Sequence, residues 1–101
     1  MNRKGNQGNE AEAAAMPITV IEDRYDGTYA GGRYTAWNLR QEDIPHAISA
    51  DDETCRLFWQ HARAQKYLVG VGETREEAIQ DLRLKQGSGY KSPKYLADWL
   101  P

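Results

Sequence analysis

The apolar positions of this chain change period along its length, and each change marks an element. From Pro17, Ile18 and Val20 alternate with Thr19 as far as Asp23, the period of a strand. Arg24 to Gly32, RYDGTYAGG, breaks that pattern with turn residues. Asp26-Gly27 is a hairpin signal and Gly31-Gly32 offers a second bend, so the register stays open between them. Arg33 to Leu39, RYTAWNL, alternates again and predicts a second strand antiparallel to the first. Gln41 to Ala50 is a polar connection around Pro45. The period then lengthens. Cys55, Phe58, Trp59 and Ala62 fall at i, i+3, i+4 and i+7, which predicts a helix over roughly Glu53 to Gln65 capped by Asp51 or Asp52.

Tyr67 to Lys85, YLVGVGETREEAIQDLRLK, is the most strongly specified stretch. Tyr67, Leu68, Val69 and Val71 favour a strand. Gly70 and Gly72 have no side chain and allow close approach by a neighbour. Thr74 is a good N-cap, and Glu77 can reach back to its N–H to complete a capping box. Glu76 and Glu77 suit the positive end of the helix dipole, and Arg83 and Lys85 the negative end. Ala78, Ile79 and Leu82 share one face, and Gly87 can end the helix in the left-handed conformation.

Ser92-Pro93 has the form of a cap and first turn. It predicts a short final helix with Tyr95, Leu96, Trp99 and Leu100 on one side. That helix either folds back on its own domain or inserts in a partner's groove. The predicted fold is α+β: a small, mainly antiparallel sheet in the order β-β-α-β-α, with helices on one face and a short C-terminal helix. Residues 1–16 form a disordered leader, 17–86 the domain, and 87–101 a linker with the final helix. Met16 is a second candidate start.

Length and charge narrow the class. The chain has 101 residues, enough for one domain, with 28% charged and 40% hydrophobic residues, as in a soluble globular protein. A net charge of −2 gives no global drive toward nucleic acid. A core this small sits near the size at which domains lean on self-association, so a homodimer is one open expectation. No apolar run approaches the roughly 20 residues of a membrane span. The basic start of the leader lacks an apolar segment, because Glu10 and Glu12 interrupt it, so it is no secretory signal. The lone Cys55 excludes an internal disulfide and a cysteine-rich metal site. A reduced thiol fits the cytoplasm, which is the expected compartment.

Two segments resemble the N-terminal domain of HicB antitoxins. VGVGETREEAIQDL is similar to that family's strand, G-[DE]-T-x-E-E-A turn and helix, and ITVIEDRYDG followed by YTAWNL is similar to its opening hairpin. The likeness covers about half the chain, sharpest over Gly72 to Ala78. The chain departs from the family by inserting the Asp51–Gln65 helix, and it leaves no room for the C-terminal DNA-binding domain that many HicB antitoxins carry. The resemblance implies a fold like a partial double-stranded-RNA-binding domain that binds a partner protein, without action at an operator.

Candidate chemistry is sparse. His46 and His61 lie in a loop and on a helix, and Asp51, Asp52 and Glu53 could supply oxygens to a hard cation, but capping explains the same carboxylates. Cys55 and His61 fall on different helix faces, so they make a poor dyad. Gly70-Val71-Gly72 before a helix has the form of a phosphate-binding turn, yet Glu73, Glu76 and Glu77 would repel phosphate. Arg24, Arg33, Arg40, Lys85, Lys91 and Lys94, interleaved with Tyr25, Tyr29, Tyr34 and Tyr90, are the candidates for stacking on nucleic acid.

The residues therefore predict no catalytic, cofactor or metal site. They predict a non-catalytic inhibitor that binds another protein and covers its functional surface, of antitoxin or phage anti-defence (anti-CRISPR-like) type. A toxin or defence nuclease with a basic nucleic-acid site is the natural target. The expected partner-binding residues are Glu22, Asp23, Asp26, Glu42, Asp43, Asp51, Asp52, Glu53, Trp99 and Leu100. A nucleic-acid-binding protein of the same fold is the second reading, and a small hydrolase centred on His46 or His61 the third.

Overall fold

A computed structural model describes residues 17–101. The leader expected over residues 1–16, and Met16 with it, lies outside the described residues. The chain runs β1 (Thr19–Glu22), β2 (Tyr34–Trp37), α1 (Asp52–Gln65), β3 (Gly70–Gly72) and α2 (Arg75–Lys85), the expected β-β-α-β-α order. The strands form one antiparallel sheet in the order β1-β2-β3. Thr19 faces Trp37 and Glu22 faces Tyr34, while Tyr34 faces Gly72 on the other side.

The helices lie on opposite faces of this sheet, where a single shared face was expected. Successive strand residues point to opposite faces. Trp37 joins a core with Cys55, Phe58, Trp59 and Ala62 of α1. Its neighbour Ala36 joins a second core with Ala78 and Leu82 of α2. The reason lies in β2. A central strand covered on both faces has no polar side to display, and Thr35, Ala36 and Trp37 are all buried. The buried Thr35 hydroxyl accepts the Trp37 indole N–H at 2.8 Å, so the one polar group there has a partner.

Both helix starts form as their sequences require. Asp51 caps α1 and accepts from the Thr54 N–H. Thr74 caps α2 and accepts from Glu77 at 3.1 Å. The Glu77 carboxylate reaches the Glu73 N–H at 2.9 Å, one residue before the Thr74 N–H that a capping box would use. β3 is glycine at both ends because α2 lies against it. A Cβ on Gly70 would overlap the Ala78 carbonyl oxygen, and one on Gly72 would come within 2.5 Å of the Ala78 nitrogen. This close approach answers for the two glycines without a phosphate.

Four local expectations give way. The β1–β2 connection is one broad loop: Asp26 and Gly27 take positive φ and form a turn closed by the Thr28 N–H on the Tyr25 carbonyl at 3.0 Å, but neither that turn nor Gly31-Gly32 joins the strands directly as a two-residue hairpin. Gln41–Ala50 is not a polar connection. It holds short 3-10 turns at Gln41–Asp43 and His46–Ser49, and it buries Ile44, Ala47 and Ile48. The strand expected from Tyr67 narrows to Gly70–Gly72, because the backbone at Leu68 turns to the tail and donates to the Lys91 carbonyl at 2.6 Å.

The C-terminal helix expected over the tail does not form. Leu96 bonds back to Pro93 and Trp99 to Leu96, two separate i to i−3 turns. So short a segment cannot offset the cost of helix nucleation unless packing favours it, and packing here favours turns. Pro93 is fully buried. Leu96 and Trp99 rest on the α1-side core, and Tyr95 and Leu100 are left 88% and 78% exposed.

Candidate functional site

The N-terminal end of α1 gathers polar and apolar groups from three parts of the chain. The β1–β2 loop is fastened to it by side chains. Arg24 donates to the Ser49 carbonyl at 2.7 Å, and the Tyr25 hydroxyl donates to Ala50 at 2.8 Å. The Tyr29 hydroxyl donates to the Asp52 carboxylate at 2.6 Å. That bond, followed by partial burial, pushes the Tyr29 phenol up. Hydrogen bonding from Thr54 holds the Asp51 carboxyl below its ordinary range, so it stays charged as a cap.

The tail closes the other side of the same end. The His46 N–H donates to the Ala97 carbonyl at 3.1 Å. Trp99 meets Phe58 edge-on at 5.4 Å and stacks on His61 at 5.3 Å. Between tail and helix lies a hollow of about 240 Å³, walled by Ala47, Ala50, Thr54, Trp99 and Leu100 and bordered by His46 and Asp98. Asp51, Asp52 and Glu53 are exposed and lie in sequence between two of its lining residues, Ala50 and Thr54. The arrangement is a mainly apolar depression with one carboxylate, Asp98, in its lining.

Of the ten expected partner-binding residues, Trp99 and Leu100 line this hollow, and Asp51, Asp52 and Glu53 stand exposed at the helix start next in sequence to its lining residues Ala50 and Thr54. Asp26 is exposed at φ 55 on the fastened loop. Asp23 is not a surface carboxylate. It is 6% exposed, and its oxygen accepts the N–H groups of Tyr25 and Gly27 at 3.0 and 2.8 Å. A loop that reverses the chain leaves backbone donors facing inward, and Asp23 satisfies two of them. Glu22 sits on β1, 3.5 Å from Arg33. Glu42 and the half-buried Asp43 belong to the first 3-10 turn, and neither they nor Glu22 line the hollow.

The reactive side chains hold structural posts. Cys55 is fully buried, with its sulfur 3.6 Å from the Ile48 carbonyl. Burial pushes its thiol up to about 11, away from the nucleophilic thiolate. His61 has its Nε2 3.2 Å from the Tyr67 hydroxyl beneath the Trp99 ring. His46 is exposed, 3.9 Å from Asp98. Among the described residues no group of three His, Cys, Asp or Glu side chains is placed to hold a metal ion.

A second, larger groove of about 390 Å³ lies at the C-terminal end of α1. Trp59, Tyr67 and Tyr90 contribute aromatic wall, and Arg63, Lys66 and Lys85 line its rim. Sequence reasoning missed Arg63 and Lys66. The three cations come from the end of α1, the turn after it and the end of α2, and no linear pattern joins them. Lys85 is partly neutralised, with Asp81 at 2.8 Å and the Val69 carbonyl at 3.0 Å. Arg24 and Arg33, named as nucleic-acid candidates, lie elsewhere, on Ser49 and Glu22.

No family model, curated protein or solved structure matches this chain. The likeness to HicB therefore rests on the residues of Gly72 to Ala78 and the opening hairpin alone.

Proposed function

We propose that this chain is a non-catalytic protein-binding inhibitor that occludes the functional surface of its partner, in the manner of an antitoxin or a phage anti-defence protein. The supporting observation is the hollow at the start of α1. Its apolar walls, with Leu100 standing 78% exposed at the edge, suit an inserted aliphatic or aromatic side chain. Asp98 in its lining, and the exposed Asp51, Asp52 and Glu53 at the adjoining start of α1, suit lysine and arginine side chains. Nucleic-acid sites of toxins and nucleases combine those features, and covering one would block it. The likeness of Gly72 to Ala78 to HicB antitoxins points the same way.

Leu100 gives a direct test, because its exposure makes it dispensable to the fold. Leu100→Ala should leave the melting temperature unchanged and weaken partner binding about 5- to 10-fold, the loss of roughly 1 kcal/mol at an interface position. Unchanged affinity would remove the hollow from the interface. The groove with Arg63, Lys66, Tyr67 and Tyr90 favours a second reading, stacking and charge contact with single-stranded nucleic acid. It predicts a gel shift that fades steeply as salt rises. The protein-binding reading predicts no such shift at physiological salt.

A further inference from the structure

The two edges of the sheet are treated differently. β3 is closed by its own helix. Its Val71 N–H donates to the Asp81 carboxylate at 2.9 Å, and the carbonyl of Val69, just ahead of the strand, accepts from the Lys85 ammonium at 3.0 Å. The ion pair between Asp81 and Lys85 thus occupies the outward backbone groups where another strand would add. β1 has no such cover among the described residues. The Asp23 N–H bonds inward to the Arg33 carbonyl at 2.7 Å, and Thr19 and Ile21 share its orientation toward β2. By the alternation of an antiparallel ladder, the N–H and C=O groups of Val20 and Glu22 point away from the sheet. No described residue bonds to them. Ile18, just ahead of the strand, is 38% exposed, and Val20 is half-buried.

We propose that β1 pairs antiparallel with β1 of a second copy of this chain, about a two-fold axis at Val20, making one continuous six-stranded sheet. The unpaired groups are main-chain donors and acceptors at alternate residues, and what complements them is another extended strand. A second copy fits this edge because β1 can pair with itself without bringing its own carboxylates together, and charge selects the register. With Val20 opposite Val20, Ile18 lies opposite Glu22 of the other copy, and the two Glu22 carboxylates sit at opposite ends of the pairing. Ile18 and Val20 of both copies then cluster on one face. Shifting the axis to Ile21 would bring the two Glu22 side chains to diagonal positions, where like charges repel. A strand this short makes a small interface, so the dimer is weak and concentration-dependent. It goes beyond the inhibitor reading and does not depend on it, since neither Val20 nor Glu22 lines the hollow.

Sedimentation velocity on the full chain across a wide concentration range tests this. The expected result is a reversible monomer–dimer equilibrium. Val20→Pro removes an outward N–H that makes no bond among the described residues, so it should keep the fold and abolish the dimer. Ile18→Glu places a carboxylate opposite Glu22 and should weaken the dimer several-fold, whereas Ile18→Lys should tighten it at low salt. Ile18 is exposed enough that these two variants serve even if the proline variant fails to fold. A chain that stays monomeric at every concentration would overturn the proposal. So would a dimer indifferent to both Ile18 variants, or a monomer whose Val20 amide is protected from hydrogen exchange by the chain's own leader.

Discussion

Gly70→Ala adds one methyl group at the tightest seam of the molecule. The new carbon would overlap the Ala78 carbonyl oxygen and lie 2.5 Å from the Leu82 nitrogen and 2.7 Å from the Leu82 Cβ. Two of those three atoms are helix backbone and cannot rotate away. Either α2 lifts from the sheet or β3 bends. Lifting α2 loosens Ala78 and Leu82, both fully buried. Forced overpacking of this kind costs about 1–3 kcal/mol. Alanine in place of glycine in a strand returns about 0.5–1 kcal/mol through lower chain entropy. The net loss is then centred on about 1 kcal/mol within a range of about 0–2.5 kcal/mol, and about 1 kcal/mol lowers Tm by roughly 4–8 °C for a domain this size. Guanidinium unfolding followed by tryptophan fluorescence reports it, because Trp37 and Trp59 are buried in the α1-side core. Gly72→Ala should shift the midpoint in the same direction. A Gly70→Ala midpoint equal to or above the native one would refute the packing of α2 against β3.

Three further outcomes follow from the same geometry. Leu82→Ala should cost about 2–5 kcal/mol and Thr74→Ala about 1 kcal/mol, and equal, negligible losses in denaturant titration would defeat the α2 assignment. Deleting Ser92 to Pro101 removes the buried Pro93 and uncovers Phe58 beneath Trp99, so thermal unfolding should come earlier and aggregation rise; an unchanged Tm would mean the tail does not support the core. The folded state holds the Cys55 proton more tightly than the unfolded chain. That contribution is complete below the ordinary thiol value of 9.0 and is lost as pH rises toward about 11. Stability measured across this window should fall in the native chain more than in a Cys55→Ala variant, and parallel curves would contradict the burial.

Local chemistry was legible where one residue type answers one local need. Thr74 and Asp51 were readable as caps because a free N–H at a helix start calls for a side-chain oxygen. Gly70 and Gly72 were readable as points of close approach, and the helix does sit there. What could not be read depends on distant neighbours. Ala36 and Trp37 show which faces of β2 are covered only once α1 and α2 are both placed. Asp23 looks like any surface carboxylate until the loop folds around it. The tail's apolar residues have helical spacing, but Phe58 and His61 hold Trp99 in a turn. Half of the candidate site, Asp51 to Glu53 with Trp99 and Leu100, was named from sequence. That Trp99 and Leu100 share a hollow with Ala50 and Thr54 at the start of α1, and that Arg63, Lys66 and Lys85 share a groove, appears only in three dimensions.

Protein binding at the hollow beside the acidic start of α1 has one direct test. Affinity capture from the native host should compare the wild-type chain with an Asp51→Lys, Asp52→Lys, Glu53→Lys triple variant, with protein and nucleic acid both measured in the eluate. The triple variant is first checked for an unchanged fold, since Asp51 also caps α1. One protein species should be recovered in proportion to the wild-type bait and lost with the variant. Recovery of nucleic acid in its place, or of the same protein by both baits, would contradict it.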